Sequence, residues 1–236
     1  MIDDSPTFRF KRFALSDRRC GMKIGTDGVM LGAWAVLPDG KTDIADIGTG
    51  SGLIAMMMAQ RYAGAHITAV EIDADAAADA ADNIAASPFD NRIDVVNMPF
   101  DAFYSKVDLI VSNPPFFATG ERAPAQSRAI ARHIGSLSPE ALVDRAPALL
   151  NRGGSLAMIT PADNADDLIF RATVAKLYPR RICSVTSRKG KQPYRILWQF
   201  STDDGPCIQD ELTIRHADNS YTDNYINLTK DFYLNL

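Results

Sequence analysis

The chain has 236 residues, 46% of them hydrophobic and 23% charged, which suits one large α/β domain or a domain with a small appendage. No stretch approaches the run of about 18 apolar residues that a transmembrane helix needs, and Asp3 and Asp4 precede any apolar run, which does not suit a secretion signal. The net charge of −4 argues against a nucleic-acid partner until its distribution is read. Cys20, Cys183 and Cys207 are odd in number and far apart, and His66, His133 and His216 are isolated. A disulfide framework, a zinc site or a metal cluster is therefore not expected, and a reducing cytoplasm is.

In chain order, Phe8 to Phe13 alternates aromatic and basic residues, as an edge strand or hairpin arm with one apolar face does. Lys23-Ile24-Gly25-Thr26-Asp27-Gly28 is a glycine-broken turn. Thr26 or Asp27 is the expected helix cap, and the helix runs through Val29 to about Val36, before Pro38. Ile44 to Ile47 is a short buried strand, followed by the turn Gly48-Thr49-Gly50-Ser51-Gly52 and a helix from Leu53 to about Tyr62. His66 to Val70 is the next strand and ends in Glu71-Ile72-Asp73, before an alanine-rich helix to about Ala86. Ile93 to Val96 leads into Asn97-Met98.

The most informative stretch is Val107 to Phe117, a buried strand that stops at Asn113-Pro114-Pro115-Phe116. In open α/β sheets, ligands lie outside the carboxyl ends of the strands. A carboxamide, two prolines and an aromatic plane at such an end suit methylation of a planar conjugated amine. Its delocalised lone pair is a poor nucleophile until two acceptors, here the Asn113 side chain and the Pro114 carbonyl, hold its N–H bonds. Phe116 can stack on the base. Taken alone, the same residues also fit a strand that simply ends in an Asn-Pro turn.

Residues 117–137 are polar, carry Gly and Pro, and suit a mobile cover over the site. A helix from Pro139 to Leu150 follows, then a strand from Ser155 to Thr160 and a helix from Asp163 or Asn164 to about Tyr178. Strands at Ile182–Thr186 and Tyr194–Phe200 flank the basic loop 187–193. A last strand near Leu212–Arg215 and a short helix near Asp223–Thr229 close the chain. Seven basic residues and no acid lie between Lys176 and Arg195, whereas acids gather at Glu71 to Asp82 and at Asp203 to Glu211. Such polarity can hold a phosphate backbone, or it can be two solvated faces.

A glycine-rich turn after a first strand serves NAD, FAD, S-adenosylmethionine or nothing. The spacing Gly48-x-Gly50-x-Gly52 departs from the GxGxxG dinucleotide fingerprint. Asp46, just before the first glycine, suits a cationic ammonium better than a pyrophosphate. The acid at Glu71 suits ribose hydroxyls.

Asp46 to Gly52, Glu71-Ile72-Asp73 and Asn113-Pro114-Pro115-Phe116 together resemble the glycine, acidic and catalytic motifs of class I amino-methyltransferases. Lys23 to Trp34, Tyr194 to Leu197 and the ending Tyr221 to Leu234 further resemble the bacterial tRNA adenine-N6 methyltransferases, which act beside the anticodon of a valine tRNA. The resemblance implies a Rossmann-like, mostly parallel seven-stranded sheet with one antiparallel strand and helices on both faces. It implies a single domain over 1–236, with an N-terminal extension to about 40 and a strand–helix tail from about 205. S-adenosylmethionine is the implied cofactor, without a metal. Around it would lie Thr26, Asp46, Gly48, Gly50, Glu71, Ile72, Asn97 and Met98, with Asn97 standing where relatives often carry Asp. Asn113, Pro114, Pro115 and Phe116 would hold the target adenine, flipped from its stack. Arg12, Arg188, Lys189 and Lys191 would contact a tRNA substrate, with no membrane and no obligate protein partner. The same corner also serves glutamine amides and guanine-N2, and a non-catalytic RNA- or cofactor-binding module or a nicotinamide dehydrogenase are the other classes of reading.

Overall fold

A computed structural model describes residues 7–21, 23–115, 137–163 and 165–235. Two almost wholly buried strands, β3 (Asp43–Ile47) and β6 (Val107–Ser112), pair in parallel at the middle of the sheet, Asp46 opposite Val111. Every residue of β6 is buried, as an apolar run covered on both faces requires. Beyond β3 lie β4 (His66–Glu71) and β5 (Ile93–Asn97), both parallel to it. On the other side come β7 (Leu150–Pro161), parallel to β6, and β9 (Arg195–Ser201), antiparallel to β7. Next are β8 (Tyr178–Arg188) and β10 (Ile208–Arg215), which are parallel to one another. The sheet order is β10-β8-β9-β7-β6-β3-β4-β5. β9 alone runs against its neighbours in this sheet, so the carboxyl ends of the other seven strands share one edge.

Helices cover both faces. α1 (Thr26–Trp34), α2 (Leu53–Arg61), α3 (Ala74–Ala85) and a short C-terminal α6 (Asp223–Thr229) lie on one core, with the hairpin β1 (Thr7–Arg9) and β2 (Ala14–Ser16). α4 (Pro139–Leu149) and α5 (Ala165–Val174) lie on the other, around Trp198 and Phe200. α1 meets α2 through glycines. A Cβ at Gly32 would stand 2.7 Å from the Met57 sulfur, and one at Gly28 3.0 Å from Leu53. That close approach fixes the N-terminal turn of α1 beside the start of α2.

The expected α/β architecture, with a mostly parallel sheet and helices on both faces, is present. The sheet has eight strands, because β10 adds an edge strand to the expected seven, starting at Ile208. α1 starts at Thr26, so the expected cap residues Thr26 and Asp27 lie inside the helix, and Gly25 precedes it without a side-chain cap. β7 begins at Leu150, where pairing starts with Val107 and shifts register before Leu109. α5 stops at Val174 and not near Tyr178, because Lys176 turns left-handed at φ 60° and Tyr178 already pairs with Ser201. The expected cover at 117–137 falls outside the described residues except for Leu137.

Candidate active site

The turn from Gly48 to Gly52 is built from residues that other side chains enter only with strain. Gly48, Gly50 and Gly52 have φ of 72°, 56° and 86°. The backbone N–H groups of Gly48 and Thr49 both donate to the Val70 carbonyl, at 2.9 and 3.0 Å, so the turn is bolted to β4. A Cβ on Gly48 would stand 2.6 Å from a methyl of Leu137.

Asp46 is fully buried beneath this turn. Its Oδ2 accepts the Thr49 hydroxyl at 2.6 Å and the Ala55 N–H at 3.0 Å, in the first turn of α2. Its Oδ1 is buried without a partner among the described residues. Burial pushes the carboxyl up to about 7, against the two hydrogen bonds, and the nearby Glu71 charge adds to the rise. An unpaired buried carboxylate oxygen of this kind is a receptor for a cation.

Glu71 ends β4 with both oxygens engaged by backbone: Oε2 accepts Gly50 N–H at 2.9 Å and Oε1 accepts Asp73 N–H at 3.0 Å. Each oxygen keeps a further lone pair for a hydroxyl donor. In the strand register Glu71 faces Asn97. Asn97 Nδ2 donates to the carbonyls of Glu71 (2.8 Å) and Ile72 (3.1 Å), while Met98 N–H also donates to Glu71 at 2.9 Å. The Asn97 amide is thereby oriented with its oxygen available as an acceptor on an exposed residue. Asp46, Gly48, Gly50, Glu71, Ile72, Asn97 and Met98 are thus brought together at the ends of β3, β4 and β5.

One strand further along the same edge, Ser112 ties β6 to β3 through a 2.7 Å bond to the Ile47 carbonyl. Asn113 follows, with its Oδ1 buried and unpartnered among the described residues. Pro114 is buried and Pro115 half-buried. Phe116 lies outside the described residues. An amide oxygen left unpaired in the interior costs about 1–3 kcal/mol, a cost that a bound N–H donor removes.

The remaining expected residues divide. Arg188, Lys189 and Lys191 are exposed at the carboxyl end of β8, on the same edge as Asn113. Arg12 is exposed, and its guanidinium lies 5.8 Å from the centre of the Phe89 ring, beyond the C-terminal end of α3 and just before β5 begins. That is the amino edge of the sheet, so Arg12 does not join the others. Thr26 is exposed and lines a cleft of about 800 Å³ with Arg188, Lys191, Arg215 and Tyr221.

Several residues were missed. Asp27 accepts Arg195 Nε at 2.7 Å and fastens α1 to the start of β9. Asp79 accepts the backbone N–H groups of Arg19 and Cys20 at 2.7 and 2.9 Å and Arg19 Nε at 2.7 Å. Burial alone would raise its pKa; these donors outweigh burial and hold the carboxyl low. Asn83 bonds Ser16 and the Ser51 carbonyl, so the segment after β2 is pinned beside the glycine turn. Except for Asn83 and Ser51, which are 32 residues apart, these pairs are about 60 or more residues apart in sequence, and no local pattern announces them.

Comparison with known proteins agrees with this geometry. The family model described as "methyltransferase small domain" matches residues 34–176. The tRNA1(Val) (adenine(37)-N6)-methyltransferase of Phocaeicola vulgatus is 43% identical over 98% of this chain and 99% of its own, and that of Bacteroides thetaiotaomicron is 42% identical over 98% and 99%. Among solved structures, a predicted O-methyltransferase from Agrobacterium tumefaciens superposes with a TM-score of 0.66 at 20% identity, covering 87% of this chain and 96% of that one. That likeness concerns the fold. Family model, near-full-length relatives and edge geometry agree that the chain belongs to the methyltransferase small domain family and, within it, to the tRNA1(Val) (adenine(37)-N6)-methyltransferases.

Proposed function

We propose that the chain transfers a methyl group from S-adenosylmethionine to the N6 amine of the adenine at position 37 of a valine tRNA. The observation that carries this reading is the row of polar acceptors along one sheet edge: Asp46 Oδ1, Glu71, Asn97 and, one strand away, Asn113 Oδ1. Two of these oxygens, Asp46 Oδ1 and Asn113 Oδ1, are buried without a donor among the described residues. The curated relatives carry the same reaction in their names.

The residues fit the cofactor. Asp46 Oδ1 would accept from its ammonium group, the glycine turn gives the backbone room to approach, Glu71 would accept from the ribose hydroxyls, and Asn97 and Met98 would flank its adenine. Ile72 belongs to the same environment, whereas Thr26 lines the separate cleft beside Arg188 and Tyr221. When bound, S-adenosylmethionine supplies an electrophilic methyl group on a sulfonium. Asn113 Oδ1 and the Pro114 carbonyl accept the two N–H bonds of the target amine, which turns its lone pair out of conjugation and stabilises the positive charge that grows on nitrogen. Phe116 stacks on the flipped base. No strong base is needed, because the amine proton becomes acidic as the nitrogen becomes cationic.

The whole chain works as one domain in the cytoplasm, and no helix among the described residues is long and apolar enough to cross a membrane. Arg188, Lys189 and Lys191 supply charge for the tRNA backbone, with Arg12 as a more distant contact. The test is transfer of labelled methyl from S-adenosylmethionine into unmodified tRNA, followed by nucleoside analysis. N6-methyladenosine is the expected product. Label in guanine-N2, or in a protein amide and not in tRNA, would replace the reading with another planar amine.

A further inference from the structure

The cleft that Thr26 lines lies three to four strands from β6, at the carboxyl ends of β8 and β10, apart from the glycine, acidic and Asn113 motifs. Its wall holds Phe8, Arg188, Lys191, Arg215, Tyr221 and Tyr233, and among the described residues no Asp or Glu lines it. Tyr221 and Tyr225 stack with ring centres 5.0 Å apart and planes 22° apart. The Arg215 guanidinium lies 4.0 Å from the centre of the Tyr221 ring. Arg215 Nη1 donates to the Asn219 carbonyl at 2.6 Å, and Arg188 Nη2 donates to the Asn219 side-chain oxygen at 2.7 Å. Asn219 itself is left-handed, at φ 75°. One turn residue therefore sets two guanidinium groups at the cleft.

Tyr221 is covered by Tyr225 and Arg215, so the next layer of the stack is the guanidinium. A flat cation fixed on a ring is a platform on which a nucleobase stacks. Phe8, 40% exposed, adds an open aromatic ring to the same wall. The cleft is joined to the reaction edge by one turn of α1: Thr26 lines it, Asp27 receives Arg195, and Gly28 packs on Leu53 at the start of α2. The nearest acids of the 216–223 turn and α6 are Asp218, which accepts from Ser220, and Asp223, exposed in the first turn of α6.

We propose that this cleft is a second nucleotide site. It seats an unpaired base of the substrate RNA, outside the base that is methylated, on the Arg215–Tyr221–Tyr225 stack, with Arg188 and Lys191 on the flanking phosphates. It rests on the tRNA reading above and deepens it by assigning where the RNA is anchored away from the reacting adenine. Planarity serves the base and charge serves the phosphates, so the two contributions separate experimentally.

Arg215→Lys keeps the charge and removes the plane. It is expected to raise the KM for tRNA roughly ten-fold through the lost stack, with kcat, cofactor affinity and the salt dependence of tRNA binding kept. Arg188→Gln is expected to lower the salt slope of binding by about 0.7. An anticodon-arm RNA carrying 4-thiouridine at single positions should crosslink to the 8, 188–191 or 214–221 segments from a position other than the target. Wild-type methylation of tRNA, with unchanged KM in Arg215→Lys and crosslinks only elsewhere, overturns the second site and leaves the reaction standing. A fall in kcat or in cofactor affinity in Arg215→Lys assigns Arg215 to folding and overturns the site as well. Failure of wild-type protein to methylate any tRNA overturns the underlying reading, and this one with it.

Discussion

The two ends of the carboxyl edge are built from opposite chemistry. The β3–β4–β5 end has positive-φ glycines, two acids and an amide, all tied by backbone hydrogen bonds and mostly buried. The β8–β10 end has exposed Arg188, Lys189 and Lys191, a half-buried Arg215 and a stack of half-buried Tyr221 on buried Tyr225, with no Asp or Glu among the described residues that line its cleft. The first end is shaped for a small cationic ligand that must be held in one pose. The second suits a large polyanion that needs charge and flat surfaces and tolerates adjustment. Asn113 stands between them, so its position decides which atom of the large ligand meets the small one.

If that division is right, variants at the centre should damage chemistry alone. Asn113→Ala removes the acceptor for the amine. By analogy with the loss of one preorganised transition-state hydrogen bond, kcat should fall about 10²–10³-fold. Cofactor affinity by calorimetry and tRNA affinity by filter binding should stay within a few-fold. Wild-type turnover in this variant would remove Asn113 from the reaction.

Variants at the glycine end should touch the cofactor only. Glu71→Ala deletes both ribose acceptors and frees the Gly50 and Asp73 N–H groups, so cofactor affinity should fall by roughly one to two orders of magnitude. Glu71→Gln, which keeps the shape, should fall less. Unaltered calorimetric affinity in Glu71→Ala would break the ribose assignment, and a parallel loss of tRNA affinity would break the division between the two ends.

Asp46 sharpens the same point through pH. Its carboxyl is raised to about 7 in the folded protein. With no cofactor bound, the protonated form is therefore favoured by folding. That contribution to stability is complete below the ordinary carboxylate range and is lost as pH rises through 7. A cationic ligand needs the ionised form. Cofactor affinity should therefore drop up to about ten-fold per pH unit on going down from 7, with proton release on binding. Calorimetry between pH 5.5 and 7 in two buffers of different ionisation enthalpy measures both, and Asp46→Asn should bind weakly with a flat profile. A steep profile that survives in Asp46→Asn assigns the proton to another group.

What the sequence reveals differs between the ends for a physical reason. The glycine turn, Glu71 and Asn113-Pro114-Pro115 are runs of adjacent residues, because a strand end and the turn after it form one local object. β6 is readable from its apolar run, and the short α6 lies where it is expected, its cap Thr222 accepting the Tyr225 N–H at 3.2 Å. The aromatic–cationic cleft draws on residues 8, 26, 188, 191, 215 and 221, which only the order β10-β8-β9-β7 and the return of the C-terminal tail to the N-terminal hairpin bring together. Arg12 shows the converse. Its aromatic and basic neighbourhood resembles an RNA contact, yet the hairpin turn carries it to Phe89 at the other edge of the sheet. Charge in a sequence reports composition; only topology says which edge receives it.

The mildest variants test the basic end. Lys189 and Lys191 are exposed on the turn after β8, where the Lys189 N–H donates to the Arg215 carbonyl at 3.0 Å. Glutamine at both positions leaves that backbone bond intact and removes two positive charges, so folding should be unaffected. If both side chains sit on phosphates, the salt slope of tRNA binding should fall by about 1.4, affinity should weaken by a few-fold at moderate ionic strength, and cofactor affinity should not move. The slope is the decisive quantity, because it counts displaced counterions and not contacts in general. A weaker affinity with an unchanged slope would mean that the lysines shape the turn without meeting phosphate. The attraction for RNA would then rest on Arg188 and Arg215, whose guanidinium groups Asn219 already holds in place.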